Sequence, residues 1–162
     1  MNLEAHRKEA LAKQKEHKRI LDQLRRKPPK NLDTLMQGIH DQVFCEIDCL
    51  SCANCCTTTG PLFTPKDVER ISKYLRMKSA DFESRYLRRD EEGDLVLKSV
   101  PCVFLLADNT CSIYQQRPKA CREFPHTDRK KFHQINHLTI KNTVICPAAS
   151  LVVDYIGEAI KI

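Results

Sequence analysis

The run CLSCANCC, residues 49–56, places four cysteines within eight residues. Cysteines this close together would close only very short loops with one another, so a disulfide framework gains little stability from them. Thiols separated by two residues are typical of sites in which several sulfurs converge on a metal ion. The sequence therefore predicts that bound metal helps to organise the fold around this run.

Five further cysteines are dispersed along the chain. They are Cys45, Cys102, Cys111, Cys121 and Cys146, the last followed by Pro147. The first residues, MNLEAHRK, lack the apolar stretch of a secretory signal, and no window approaches the roughly 18 apolar residues of a membrane span. We therefore expect a cytoplasmic protein, in which clustered thiols serve as metal ligands or redox groups more often than as disulfides. Metal binding is the favoured interpretation, with structural disulfides and redox switching as the alternatives.

Composition and charge divide the chain into two parts. Its 162 residues include no tryptophan, 6% aromatic residues and 30% charged residues, which predicts a lean core. Residues 1–30 hold ten lysines and arginines against four acidic residues, whereas the remainder holds 17 of each sign and the net charge is +6. We predict a basic helical arm over residues 1–30 and a cysteine-cluster domain over residues 31–162.

The basic arm is predicted to be one helix. Strong helix formers run from about Glu4 to Arg26 and end at Pro28-Pro29, with a thin apolar stripe made by Leu3, Leu11, Leu21 and Leu24. A solvated helix docked on the domain is one interpretation, and a contact with RNA, the ribosome or an acidic protein is the other. No aromatic residue lies among its charges, so it lacks the stacking platform of a single-strand binder.

The rest of the sequence predicts a small α+β domain that is predominantly α-helical, with a minor two-stranded element. Helices are expected over about residues 32–47, from Pro65 with Thr64 as N-cap, from Ser79, over about 117–122, and after Cys146-Pro147. Residues 51–60 are expected to lack regular structure. Residues 95–97 and 103–106 are expected to form the pair of strands, preceded by an acidic turn at residues 90–94.

Several cysteine motifs in order resemble the YkgJ-type cysteine-cluster family, described as a zinc- or iron-chelating domain. They are the run at 49–56, PCVFL at 101–105, CSIYQQRP at 111–118, CREFP at 121–125 and Cys146-Pro147. A related pattern occurs in flagellin lysine N-methylases. The resemblance covers about residues 45–150 and implies metal chelation by eight cysteines, whereas Cys45 and the basic arm lie outside it. The implied ligands are Cys49, Cys52, Cys55, Cys56, Cys102, Cys111, Cys121 and Cys146.

Two four-sulfur sites are the simplest allocation of eight thiols. Adjacent Cys55 and Cys56 would point in different directions in an extended segment, which favours two metals over one. Cys49, Cys52 and Cys55 with the distant Cys146-Pro147 are similar to the ligands of a 4Fe-4S cluster. Cys56, Cys102, Cys111 and Cys121 would then form a tetrahedral zinc site. Zinc at both sites remains an equal alternative, because four sulfurs suit zinc and iron alike.

Arg117 and Arg122 lie close in sequence to these cysteines and are candidates to offset the charge of the thiolates. The alternative is that both are surface arginines. If the first interpretation holds, Arg122→Ala weakens metal retention under a chelator challenge while leaving the stoichiometry unchanged. Elemental analysis after the challenge tests this, and full retention of metal by the variant would remove the role.

Signs of other chemistry are few. The six histidines do not form a convincing ligand set. His133 and His137 are four residues apart, but the sequence between them lacks a zinc-peptidase motif. His126 is the best candidate for a spare ligand or a proton carrier. A glycine-rich phosphate loop and a serine elbow are both absent. An enzyme would have to work through the bound metal, with Tyr114 or His126 transferring protons. We expect a structural or metal-handling module, and an iron–sulfur redox or methyl-transfer component is the alternative.

Overall fold

The computed structural model describes residues 2–161, and it confirms a predominantly helical α+β fold. Two short 3₁₀ turns lie at Tyr114–Gln116 and Phe132–Gln134. The α-helices are α1 (Leu3–Arg26), α2 (Leu32–Glu46), α3 (Cys49–Cys52), α4 (Asn54–Thr58), α5 (Pro65–Tyr74), α6 (Ser79–Tyr86), α7 (Lys119–Glu123), α8 (Asn136–Ile145) and α9 (Pro147–Ala159).

The sheet has three antiparallel strands within the described chain, where two were predicted. The strands are β1 (Leu62–Phe63), β2 (Leu87–Arg89) and β3 (Leu95–Leu97), in the order β1-β3-β2. The predicted strand at 95–97 is confirmed, but the one at 103–106 is wrong. That segment turns back on itself, because Leu106 N–H donates to Thr110 O at 2.8 Å and Leu105 forms only an isolated bridge with Cys111.

The chain divides into two compact units, each with its own core. The first unit comprises Met1–Cys52 and Pro125–Ile162, and the second comprises Ala53–Phe124. Helix α1 contributes to the core of the first unit. The predicted division of the sequence at residue 30 stays a prediction.

The core of the first unit is built by α1, α2, α8 and α9. Ile20, Leu21 and Leu24 of α1 are buried, whereas Leu11, expected on its apolar stripe, is 50% exposed. At Gly157 of α9 a Cβ atom would lie 2.6 Å from Ile20 Cδ1, so the glycine permits close packing against this side chain. Helix α1 is therefore anchored by its own apolar face.

A buried histidine adds a polar anchor between α1 and α9. His17 is 0% exposed, and its Nε2 lies 2.9 Å from Asp154 Oδ1. Lys13 Nζ donates to Asp154 Oδ2 at 3.0 Å. Burial of Asp154 opposes its ionisation, but the hydrogen bonds from His17 and Lys13 outweigh burial and hold its pKa below the ordinary value. These bonds fix the position of α1 along α9.

The second unit has an aromatic core under its small sheet. Phe82 is fully buried, and its ring lies 5.3 to 6.3 Å from the rings of Phe63, Tyr86 and Phe104. Helix α5 is amphipathic and buries Val68 and Ile71. Its predicted N-cap is confirmed, since Thr64 and Asp67 form a reciprocal capping box. Tyr74, at the end of the same helix, is 51% exposed.

Helix α8 was not predicted, because polar residues interrupt its apolar periodicity. Thr139, Asn142 and Thr143 are the buried residues of this helix. The helix after Cys146-Pro147 is confirmed, and its residues Val152, Val153 and Ile156 are fully buried. Over residues 2–161, none of the helices has both the length and the apolar character needed to cross a membrane.

We predict that Asp154→Asn lowers the free energy of unfolding by about 1–3 kcal/mol at neutral pH, because the charged, part-buried hydrogen bonds of this carboxylate with His17 and Lys13 are lost. A carboxylate whose pKa is depressed stabilises the fold above its unfolded-state pKa of about 3.9, and this contribution disappears as the pH falls through the folded-state pKa. The difference between wild type and variant should therefore shrink in acid.

Urea denaturation followed by helical circular dichroism at several pH values measures this effect. Glu158→Gln, at an exposed position on the same helix, is the matched control and should behave as wild type. Equal destabilisation by Asp154→Asn at neutral and strongly acidic pH would contradict the assignment.

Candidate metal centre

The cysteine run folds into two helical turns. Helices α3 and α4 are joined at Ala53, which adopts a left-handed conformation with φ 46°. Thr57 and Thr58 each donate a side-chain hydrogen bond to Asn54 O, which supports the second turn. The expectation that residues 51–60 lack regular structure is therefore wrong, because local hydrogen bonds close helical turns within the run.

Cys55 and Cys56 lie side by side. Their sulfur atoms are 4.0 Å apart. We expected these neighbours to point in different directions because we took the segment to be extended, and that premise is wrong. In a helical turn successive side chains diverge by about 100° and stay on adjacent parts of the surface. The argument for two metals therefore no longer follows from this pair.

The second unit also contains Cys102, Cys111 and Cys121, three thiols that are distant from Cys56 in the sequence. Cys102 N–H donates to Cys56 O at 2.7 Å, which ties the loop at residue 102 to α4. The bridge between Leu105 and Cys111 folds the next segment back. Cys121 lies in α7, whose first turn begins at Pro118. Cys56, Cys102, Cys111 and Cys121 thus come from four different segments of the second unit, and local backbone contacts position these segments.

The pKa values show that these four thiols lie within range of one another's charge. Burial raises the pKa of Cys121 to about 12, and negative charge on Cys56, Cys102 or Cys111 adds to the rise. Burial also raises the pKa of Cys102, with contributions from Cys56 and Cys111, and the pKa of Cys111, with a contribution from Cys56. All six pairs within the set therefore interact.

Cys56 differs from the other three. The hydrogen bond from the Cys55 thiol lowers the pKa of Cys56 to about 7, against the opposing effect of burial. A thiol with such a pKa carries substantial thiolate character near neutral pH, and the thiolate is the form that binds metal. Cys56 therefore combines ready ionisation with a position near three other thiols.

The first unit holds a smaller group of thiols. Cys146 precedes α9, and burial raises its pKa to about 11 against the backbone N–H groups of Ala149 and Ala148, which favour the thiolate. Charges on Cys49 and Cys52 contribute to the rise, so these two thiols lie near Cys146. Cys45 lies on α2 with its side chain exposed. None of the nine cysteines, all within residues 2–161, takes part in a disulfide.

An ion pair between a buried aspartate and a partly exposed arginine fixes the segment between Cys111 and Cys121, and sequence reasoning did not identify it. Asp67 is 1% exposed and accepts hydrogen bonds from Arg70 at 2.6 Å, from Lys119 N–H at 3.1 Å and from Thr64. Arg70 also donates to the carbonyl oxygens of Gln116 and Arg117, each at 3.1 Å. The sequence signal for Asp67 was its capping-box spacing from Thr64, but its role for α7 required the structure.

The two arginines singled out from sequence have different surroundings. The positive charge of Arg117 lowers the pKa of Cys111 and Cys121, although burial outweighs it. Its guanidinium carbon lies 3.9 Å from the centre of the Tyr114 ring. Arg122 donates to Arg117 O at 2.8 Å. Arg117 therefore acts electrostatically on the thiols, while the role predicted for Arg122 stays a prediction.

Two of the histidines are held by oxygen partners. His17 is an interior residue paired with Asp154, and His40 Nδ1 lies 2.8 Å from Thr127 Oγ1. His133 lies in a 3₁₀ turn and His137 in α8, so the two do not share one helix. His126 adopts φ 67° in the first unit, and its role as a spare ligand stays a prediction.

The side chains do not have ligand geometry as they stand. Across residues 2–161, no three or more histidine, cysteine, aspartate or glutamate side chains are arranged to hold a metal ion. The donor chemistry nevertheless suits zinc or iron, because clustered thiols are the preferred ligands of both.

Comparison with known proteins supports this chemistry. A profile of the CxxCxxCC family, described as "Putative zinc- or iron-chelating domain", matches residues 48–145. An uncharacterized protein of Methanocaldococcus jannaschii is 33% identical over 82 residues, which cover 49% of this chain and 44% of that protein. The chain thus spans less than half the length of this relative. No solved structure gives a significant match.

We predict that Arg70→Ala destabilises the second unit by about 1–3 kcal/mol, because the buried carboxylate of Asp67 loses a partly exposed cation and keeps only the hydrogen bonds from Thr64 and Lys119 N–H. The change should also loosen the segment that leads to Cys121. Hydrogen exchange at the amides of residues 116–121 and urea denaturation measure the two effects. Lys73→Ala, at an exposed position on the same helix, should leave both unchanged. Unaltered exchange in the Arg70 variant would contradict the positioning role.

Proposed function

The chain belongs to the CxxCxxCC family, and we propose that it is a metal-chelating protein whose second unit binds one zinc or iron centre through Cys56, Cys102, Cys111 and Cys121. Its role is that of a structural or metal-handling module. The observation that carries the proposal is geometric: Cys102 N–H donates to Cys56 O at 2.7 Å, and a bridge between Leu105 and Cys111 folds the next segment back. The pKa directions of the thiols agree with it, since each thiol responds to charge on the others.

A bound cation resolves the electrostatic conflict among these thiols. Four thiolates in a half-buried site repel one another, and burial adds a cost to each charge. A divalent cation replaces this repulsion with attraction and coordinates the deprotonated sulfurs directly. With four protein ligands, the centre would be closed and structural, which agrees with a protein that lacks a recognisable catalytic motif.

The proposed centre requires the sulfur atoms to move from their positions in the structure, because no three of the described side chains are arranged to hold a metal ion. A cysteine sulfur changes position when χ1 moves between staggered rotamers, and the backbone need not move. The sulfurs at the corners of a tetrahedral zinc site are about 3.8 Å apart, given Zn–S bonds of about 2.3 Å.

The remaining family cysteines supply a second group of ligands in this proposal. Cys49, Cys52 and Cys146 lie near one another in the first unit, and Cys146 is placed at the N-terminus of α9. Cys55 belongs to the second unit, and its role as a ligand stays a prediction. Whether this group binds zinc or a 4Fe-4S cluster determines which functions are open to the protein.

An iron–sulfur centre is the alternative that would make the protein a redox or methyl-transfer component. It requires iron, sulfide and an intact set of thiolates, and it gives a coloured protein. A cytoplasmic location fits either metal, because a reducing compartment keeps clustered cysteines available as ligands. Zinc would supply cross-linking of the fold without redox chemistry.

We predict that protein purified without oxygen carries zinc or iron, and that Cys121→Ser lowers the metal content by the amount held at one centre. Cys56→Ser, Cys102→Ser and Cys111→Ser should lower it equally, because all four thiols serve the same ion. Elemental analysis per chain, with the visible spectrum recorded on the same sample, measures the content and distinguishes zinc from an iron–sulfur chromophore.

Cys45→Ser is the matched control, because Cys45 is exposed on α2 and is not among the proposed ligands. It should retain the full metal content. Wild-type protein free of zinc and iron would contradict the proposal as a whole. Loss of metal from some of the four variants but not others would contradict the shared centre while leaving metal binding intact.

A further inference from the structure

Helix α1 carries a continuous basic face that the metal chemistry does not use. Its buried residues are Ala10, His17, Ile20, Leu21 and Leu24. Seven exposed cations lie on the opposite side, within an arc of about 120° when successive residues are separated by about 100°. They are Arg7, Lys8, Lys15, Lys18, Arg19, Arg25 and Arg26.

Neighbouring carboxylates leave most of this charge unneutralised. Glu4 and Asp22 are the acidic residues on the same arc, and Arg25 is the only one of the seven cations that forms an ion pair within residues 2–161, at 3.9 Å from Asp22. Lys13, which does pair with Glu9 and Asp154, lies toward the core side of the helix. The outward face therefore presents excess positive charge along its whole length.

A cavity at the end of α1 extends the basic surface. It has a volume of about 220 Å³ and lies where the chain passes from Pro28-Pro29 into α2. Lys30, Lys131 and His133 contribute to its wall. The carboxylate of Asp33, also in the wall, accepts a hydrogen bond from Lys131 N–H at 2.8 Å. Cationic groups of the first unit thus continue beyond the last turn of α1.

We propose that the outward face of α1 binds the phosphodiester backbone of a double-stranded nucleic acid. A helix of 24 residues is about 36 Å long, which is close to one turn of a duplex. Lysines and arginines repeated along such a length match the regular negative charge of a duplex backbone. The face has no aromatic side chain on which unpaired bases could stack, so a duplex fits it better than a single strand.

Other polyanionic partners fit the face less well. A membrane-surface helix inserts its apolar side, but the apolar side of α1 is buried in the core of the first unit. A protein interface has an apolar or aromatic centre, and Leu11 is the only exposed large apolar side chain on α1 among the described residues. Phosphate contacts need neither feature.

Fluorescence anisotropy with labelled duplexes of about two helical turns tests the proposal, using full-length protein across salt concentrations of about 50 to 200 mM. Wild type should bind with a dissociation constant on the order of 10⁻⁶ to 10⁻⁴ M near physiological salt. The triple variant Lys15→Gln, Lys18→Gln and Arg19→Gln should bind about tenfold or more weakly and reduce the salt slope by about 2 to 3.

The matched control is Lys66→Gln, Lys73→Gln and Lys78→Gln, which removes three exposed lysines of the second unit and should keep the wild-type slope. Circular dichroism and metal content should be the same in all three proteins, because no core residue or cysteine is changed. Comparing RNA and DNA duplexes of one sequence identifies the nucleic acid that supplies the backbone.

Three results would overturn the proposal. They are the absence of duplex binding at about 50 mM salt, a triple variant whose salt slope equals that of wild type, and tighter binding to single strands, to polyglutamate or to vesicles of anionic lipid than to either duplex. Each leaves the proposed metal centre untouched, because that is measured by elemental content.

Discussion

Thiolates gathered in a half-buried site repel one another, and the second unit is built around this constraint. Cys56, Cys102, Cys111 and Cys121 come from four segments, and each lies within range of the charge on the other three. Burial already raises the pKa of Cys121 to about 12, so its thiolate is costly unless a cation compensates for it. Metal chelation by the family gives this arrangement a physical purpose.

Hydrogen bonds hold the segments that carry these four cysteines near one another. The hydrogen bond from Cys102 N–H to Cys56 O fixes one pair of segments. Asp67 and Arg70 hold the residues between Cys111 and Cys121 through backbone atoms of Gln116, Arg117 and Lys119. Loss of Arg70 would leave the buried carboxylate of Asp67 with only its hydrogen bonds from Thr64 and Lys119 N–H. The ion pair of Asp67 and Arg70 therefore helps to fix the position of the segment that leads to Cys121.

Sequence reasoning succeeded where a residue's role depends on its neighbours in the chain. Thr64 and Asp67 define a helix start, Pro147 follows a helix boundary, and the apolar spacing of Val152, Val153 and Ile156 indicates a buried face. It failed where distant contacts decide. Residues 103–106 have strand composition but are held in a turn, and α8 is hidden because its buried residues are threonines and an asparagine.

The candidate site shows the same division. The cysteine motifs identified the family, and the match over residues 48–145 bears that out. The sequence could not show that Cys55 and Cys56 share a helical turn, because the hydrogen bonds that close it involve Ala53 and Asn54 in a conformation that composition does not specify. Nor could it show that His17 is an interior partner of Asp154, since its neighbours in sequence are charged and exposed.

X-ray absorption at the zinc and iron edges of anaerobically purified protein tests the central claim most directly, because it reports the atoms around the metal. The account predicts a first shell of about four sulfur atoms at about 2.3 Å. It predicts that Cys121→Ser reduces that shell or removes the metal. A shell dominated by nitrogen or oxygen, or a protein that holds neither metal and remains folded in the presence of a chelator, would contradict it.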